Sequence, residues 1–324
     1  MRAVQIIAPG QATFVEVPKP TLQPGQALIR TTQVSLCGSD THAVYHHSPS
    51  AYPLPPGNSG HEVLGIVEEM NGSAAHVKVG DEALALVQTN QGMAEYAVLP
   101  IENLLALPAG KPVEELLQAQ QLGTVLYAAQ HMPNVVNKDV VIIGPGSAGL
   151  WWNYVVSRMG ARRVIAVDLQ AHRLALSSHY GATHTINNAE QEALPLLAEI
   201  LDGRLADIVV EAAGEPESIN LTTDLVRRYG FIFFFGVPRG HEMNFRMFDF
   251  FRKSPQTQSM VGALGDPGHS CTRIAMDLIA SGAADVGPMI THHFDFEQVP
   301  EAYELQNTRD EGALKIVVNM PRNA

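Results

Sequence analysis

Cysteine is nearly absent: the 324 residues contain two, Cys37 and Cys271. Two thiols cannot build a disulfide framework, and the opening MRAVQIIAPGQ has neither a charged leader nor an apolar export segment, so a reducing cytoplasm is the expected compartment. Positive charge is also scarce. Twenty-one Lys and Arg face 33 Asp and Glu, a formal net charge of −12, which argues against nucleic acid or an anionic membrane as partner. Long apolar runs are missing as well. Segments such as Phe231 to Phe235 fall far short of the roughly 20 residues that span a bilayer and read as buried strands. No internal repeat or low-complexity tract occurs.

What is present is ample core material, with 46% hydrophobic residues in a chain long enough for two domains. Up to about residue 105, short apolar runs (Ala12 to Val17, Gln26 to Thr31, Val63 to Glu68, Ala94 to Leu99) alternate with Pro and Gly. That spacing predicts an antiparallel, barrel-like β domain. Tyr45 to Ser59 reads as a long loop. From Val113 the texture becomes helical. Strands at 140–143, 164–167, 207–210 and 231–235 then alternate with helices at 148–159, 172–179 and 218–228. This alternation predicts an α/β doubly wound parallel sheet. A further helix, Thr272 to Ser281, and a strand, Leu314 to Val318, close the chain.

Gly144-Pro-Gly146-Ser147-Ala148-Gly149 directly follows an apolar strand and opens a helix, and Asp168 ends the next strand about 20 residues later. In that context the glycines permit a tight turn and a close backbone approach to a pyrophosphate, while the helix N-terminus offers free N–H groups. The Asp168 carboxylate can accept hydrogen bonds from a free ribose 2′-hydroxyl and would repel a 2′-phosphate, which favours NAD over NADP. Arg173 is placed either to stack on adenine or to sit solvated on its helix.

Cys37-Gly-Ser39-Asp40-Thr-His42 and, shortly after, Gly60-His61-Glu62 gather a thiol, imidazoles and carboxylates. These types suit a metal site with its orienting groups, and chance clustering is the competing reading. His46 and His47 sit in the adjoining loop, where they would touch substrate or stand exposed, and the same pair of readings covers His292 and His293. Cys271, far from the fingerprint, reads as an inert thiol.

Across almost its whole length the sequence resembles the zinc-type medium-chain dehydrogenases, the alcohol, sorbitol and threonine dehydrogenase group. The matching stretches are Cys37 to His42, Gly60 to Glu62, Val79 to Asp81, Ala94 to Tyr96, Gly144 to Gly149, Asp207 to Gly214 and Gly312 to Val318. The resemblance implies a Rossmann NAD-binding domain over 121–262 and a GroES-like catalytic domain over 1–120 and 263–324. It implies Cys37 and His61 as catalytic zinc ligands, with Ser39 touching the substrate oxygen and His42 passing a proton to solvent. Asp40 would orient His61, Glu62 would be a carboxylate able to approach the metal, and Thr124 would pack on nicotinamide. The family's four-cysteine structural zinc lobe has no counterpart here, since the stretch from Ala83 to Gly92 contains no cysteine. Aligning Leu122 and Thr124 with the family pattern puts Gln120, a neutral amide, at the third ligand position, or its neighbour Gln121 if the match slips by one, with Glu62 or water completing the coordination.

The function so implied is a zinc-assisted, NAD-dependent interconversion of a secondary alcohol or polyol and a carbonyl compound, by a homodimer or homotetramer joined through a strand near 258–261. A metal-free reductase of enones or quinones, and an NAD-binding redox sensor without turnover, are the alternatives.

Overall fold

The computed structural model describes residues 1–87, 91–108, 112–260, 262 and 265–321. The chain divides into two compact units, one formed by residues 1–124 with 263–324 and the other by 125–262.

The first unit begins with a hairpin, β1 (Arg2–Ala8) and β2 (Gln11–Glu16). The 11-residue β3 (Gln26–Leu36) leads into α1 (Gly38–Thr41), a single π turn (His42–His46) and a loop. Next come β4 (Glu62–Met70), β5 (Glu82–Leu86), β6 (Tyr96–Pro100) and β7 (Leu104–Ala106), followed by α2 (Val113–Leu117) and α3 (Ala119–Ala129).

The second unit carries β8 (Asp139–Ile143), α4 (Ser147–Arg158), β9 (Arg163–Asp168), α5 (Ala171–His179) and β10 (His184–Asn187). It continues with α6 (Ala193–Ile200), β11 (Ala206–Glu211), α7 (Pro216–Leu225), β12 (Val226–Phe234), α8 (Met247–Lys253) and β13 (Gln256–Ser259). The chain returns to the first unit with α9 (Ser270–Ala280), β14 (Ile290–Asp295), α10 (Val299–Thr308) and β15 (Lys315–Asn319).

In the first unit the strands run in the order β14-β15-β3-β4-β5-β7, with β6 also on β3. All these pairs are antiparallel except β14 with β15. Alternating inward residues of these strands, Val34, Leu36, Val63, Ala83, Ala85, Ile316 and Val318 among them, make one core with Val299 and Ala302 of α10.

The second unit is a six-stranded parallel sheet in the order β10-β9-β8-β11-β12-β13. Every residue of β8 is buried, as expected for a central parallel strand covered on both faces. The helix read over 218–228 ends earlier. Val226 already pairs with Ala206 as the first residue of β12, and Tyr229 takes a left-handed φ of 56° before Gly230. A β-branched valine buried against a neighbouring strand is better placed in the sheet than in a last helical turn. At the sheet edge all four residues of β13 are exposed, and Val261, the end of the strand expected near there, lies outside the described residues.

Candidate active site and cofactor sites

Strand register assembles the thiol and imidazole. Ser35 pairs with Glu62 across β3 and β4, so the residues just beyond, Cys37 and His61, emerge at the same end of the sheet. On the other side of β3, Ile316 pairs with Leu36, which brings Lys315 to that end too. One atom each from Cys37 Sγ, the His61 ring and the Glu62 carboxylate lie within 4.8 Å of one another.

Asp40 locks the arrangement. One carboxylate oxygen accepts the Cys37 N–H at 2.8 Å and the other the Gly60 N–H at 2.9 Å, and the latter also lies 3.5 Å from His61 Nδ1. Asp40 is thus both the third residue of α1, whose side chain reaches back to the Cys37 N–H at the helix start, and the group that fixes the imidazole, the arrangement expected behind a ligating histidine. Burial pushes the Asp40 acid up, but the His61 ring and the two amides outweigh it and hold the carboxyl below its ordinary value. The His61 imidazole, which burial would lower, is raised well above its ordinary value by Asp40 and by Cys37. The Cys37 thiol is lowered in spite of burial, with Lys315 and His61 overcoming both desolvation and the Glu62 carboxylate. Lys315 and His61 thus shift the Cys37 group in the direction of the thiolate, the form that binds metal.

Glu62 is not a free ligand. Lys315 Nζ donates to its two oxygens at 2.7 and 2.6 Å and to the Leu36 carbonyl at 3.4 Å, and both side chains are completely buried. Sequence reading missed Lys315, although a lysine inside the apolar run Ala313 to Val318 is itself a signal that a buried anion must meet it.

At the third ligand position the two neighbouring amides differ in what they touch. Gln121 of α3, not Gln120, lies against the thiol, with Nε2 3.5 Å from Cys37 Sγ, and its Oε1 is buried without a hydrogen-bond partner. What contacts Gln120 is Thr124, whose hydroxyl donates to the Gln120 carbonyl at 2.9 Å. One turn earlier Gln118 donates to Ser35 Oγ at 3.0 Å. Amide O and N are interchangeable by a flip of the side chain, so Gln121 can present its orphaned oxygen beside the thiolate. Thiolate and imidazole are zinc donors and the amide oxygen is a weaker, neutral third, with Glu62 held back by Lys315.

Ser39 lies on α1 and His42 opens the π turn, both half-buried. The His42 ring centroid is 5.1 Å from that of His47 and 6.4 Å from that of His46, so these three histidines form one group. His292 and His293 do not join it. They lie on β14, where His292 contacts Thr291 Oγ1 and His293 contacts Glu114, each at 2.9 Å. Cys271 is buried in α9, its amide capped by Asp266 at 2.6 Å. Ser59 and Tyr303, which the sequence did not single out, share a buried hydroxyl contact that ties the loop before His61 to α10.

In the second unit, Gly144 has a φ of 79°, Gly146 has open space where a Cβ would stand, and a Cβ on Gly149 would lie 2.4 Å from the Gly144 carbonyl oxygen. Ser147 and Ala148 then begin α4. The turn leaves room above Gly146 for a phosphate and packs the helix against the strand end. Asp168, 9% exposed at the end of β9, accepts the Gln170 N–H at 2.7 Å. Arg173 Nη1 is 3.9 Å from its other oxygen, and at 6% exposure Arg173 is buried beside the acid, which excludes the solvated reading. Burial raises the Asp168 acid, with Arg173 opposing.

A dinucleotide-type sheet in one unit and a thiolate–imidazole metal group at a strand end in the other define a nucleotide-dependent oxidoreductase of the zinc-assisted class. Family models agree: residues 23–109 match the alcohol dehydrogenase GroES-like domain and residues 149–281 the zinc-binding dehydrogenase domain. The chain belongs to the zinc-type medium-chain dehydrogenase/reductase family, oxidoreductases acting on CH–OH groups. Among its relatives is the L-threonine 3-dehydrogenase of Shewanella frigidimarina, 25% identical over 98% of this chain and 99% of that one. The Pyrococcus furiosus L-threonine 3-dehydrogenase is 28% identical over 93% of each. Among solved structures, the alcohol dehydrogenase of Thermus sp. ATN1 superposes with a TM-score of 0.81 at 23% identity, covering 99% of this chain and 100% of that one.

Proposed function

We propose that the chain oxidises a secondary alcohol carried on a small polar molecule to the carbonyl compound, with NAD as hydride acceptor and zinc held by Cys37, His61 and the Gln121 amide. The observation that supports this reading is the convergence of Cys37, His61 and an orphaned Gln121 oxygen at one strand end. A metal-free reductase would have no use for that grouping. Relatives named L-threonine 3-dehydrogenase match nearly the whole chain and point to small hydroxylated substrates.

Zinc supplies a Lewis acid that lowers the pKa of an alcohol. NAD supplies a hydride acceptor. The chain does the rest. Ser39 holds the substrate hydroxyl and accepts its proton as it gives up its own, and His42 carries the released proton toward His47 and the exposed Ser48. Asp40 keeps the His61 ring oriented. The glycine turn from Gly144 to Gly149 seats the pyrophosphate, Asp168 accepts the adenosine ribose hydroxyls, and Thr124 packs on the nicotinamide.

The partner is a second copy of the chain: the exposed edge strand β13 and the neighbouring exposed Met247, Phe248 and Phe251 of α8 form the face a homodimer would cover. Two free cysteines suit a reducing cytoplasm.

The deciding experiment measures zinc per chain and NAD-linked turnover over a panel of alcohols and polyols. Wild type should carry zinc and lose it, with activity, in Cys37→Ala. Gln121→Glu should tighten zinc by about 1–3 kcal/mol, the scale on which a charged partner exceeds a neutral one, while Gln120→Glu should not. Full turnover by wild type that holds no zinc would remove the metal from the reaction.

A further inference from the structure

Glu211 is the last residue of β11 and is completely buried. One carboxylate oxygen is saturated: Oε1 accepts the Ala213 N–H at 2.8 Å, the Gly214 N–H at 2.9 Å and the Ser218 hydroxyl at 2.7 Å. The other, Oε2, is buried with no hydrogen-bond partner. No Lys, Arg or His among the described residues pairs with it. Arg239, whose own backbone N–H donates to the Gly214 carbonyl, directs its Nε to Glu215 at 2.8 Å. A buried carboxylate oxygen left without a donor is costly, and such a group calls for an explanation.

Its position says what that is. Three turns crowd around Glu211. A Cβ on Gly236, after β12, would stand 2.8 Å from Oε2, and one on Gly144, after β8, would stand 2.6 Å from Ala213 Cβ. The turns after β8, β11 and β12 thus meet at the ends of the parallel strands, the side on which a doubly wound sheet binds its nucleotide. Asp168 marks the adenosine side, on β9, and the Gly144 to Gly149 turn after β8 marks the pyrophosphate. Continuing in the same direction, the nicotinamide half falls over β11 and β12, where Glu211 lies.

The two redox forms of the cofactor differ there by one charge, since the oxidised nicotinamide ring is cationic and the reduced ring neutral. We infer that Glu211 is an electrostatic partner of the oxidised nicotinamide, biasing the protein toward NAD+ over NADH and so toward alcohol oxidation. This rests on the NAD reading above. Burial pushes the Glu211 acid up, a strain that a nearby pyridinium would relieve.

Glu211→Gln keeps the shape and the acceptor for Ala213, Gly214 and Ser218 while removing the charge. Dissociation constants for NAD+ and NADH, measured by calorimetry on the full-length, zinc-replete protein, are the readout. The NAD+ preference should fall by about tenfold in the variant, the size of one charge–charge interaction acting through several ångströms of protein rather than at contact, with most of the change in NAD+. Equal weakening of both forms, or no change, would reduce Glu211 to a brace for the turns and overturn the inference while leaving the cofactor reading intact. Failure of wild type to bind either form would remove both readings. Should Glu211→Gln not fold, wild type decides: it should bind NAD+ about tenfold more tightly than the dinucleotide carrying a neutral benzamide ring, and equal affinity would overturn the inference.

Discussion

At the residue scale the site depends on one buried cation. Lys315 neutralises Glu62 so that a carboxylate can lie within a few ångströms of a thiolate, and its charge also pulls the Cys37 thiol down against burial. Taking two charges out of water is repaid only if both stay. Lys315→Met should therefore destabilise the protein by about 3–5 kcal/mol, because Glu62 would remain buried and unpaired. Lys315→Met combined with Glu62→Leu should recover most of that loss. Urea unfolding midpoints of the two proteins test the pair, and a single variant as stable as wild type would mean the two charges are not buried together.

The glycine turn shows the same logic at the scale of an element. Gly146 is free of neighbours, whereas a Cβ on Gly149 would meet the backbone oxygen of Gly144 at 2.4 Å, closer than a side chain can come to a carbonyl that cannot swing away. Gly149→Ala must push α4 off the end of β8. The expected outcome is a loss of NADH affinity of tenfold or more, about 1.4 kcal/mol, with a smaller fall in thermal stability. Fluorescence titration of NADH measures the first, and unchanged affinity would show that the turn does not seat the cofactor. Both α4 and the turn were legible in the sequence because glycine spacing, the preceding apolar strand and the following helix are contiguous. The early start of β12 was not, because Val226 joins the sheet only through its pairing with Ala206.

On the scale of the whole molecule, stability should depend on pH through His269. This residue caps α9 in a left-handed conformation (φ 53°), is 7% exposed, and contacts Asn103 at 3.0 Å. Burial lowers its pKa, with Asp266 opposing and Arg273 assisting. The folded state then binds the proton less readily than the unfolded state. As pH falls from about 6.5, the unfolded value, toward the lowered folded value, the unfolded chain takes up more protons and stability is lost. His269→Asn, which tolerates the left-handed backbone, should be less stable at neutral pH for want of the ring but show a flatter acid limb. Melting temperatures between pH 5 and 7.5 check this, and parallel curves for the two proteins would exclude His269 as the source.

The sequence by itself determined the two-part division of the chain: short strands with Pro and Gly, then alternating strands and helices around a glycine turn and Asp168. It also determined the residue types at Cys37, Ser39, Asp40, His42 and His61, because each sits within a few positions of the others or in a motif whose spacing is local. Tertiary structure alone decided the rest. Neighbouring residues on a helix point about 100° apart, so only packing could show that Gln121 and not Gln120 meets the thiol. Lys315 lies 253 residues from Glu62, and no local pattern carries that pairing; it exists because β15 and β4 flank β3 in one register. Glu211 reads in the sequence as the end of one more apolar strand. Its orphaned oxygen became visible only when the turns after three separate strands closed around it.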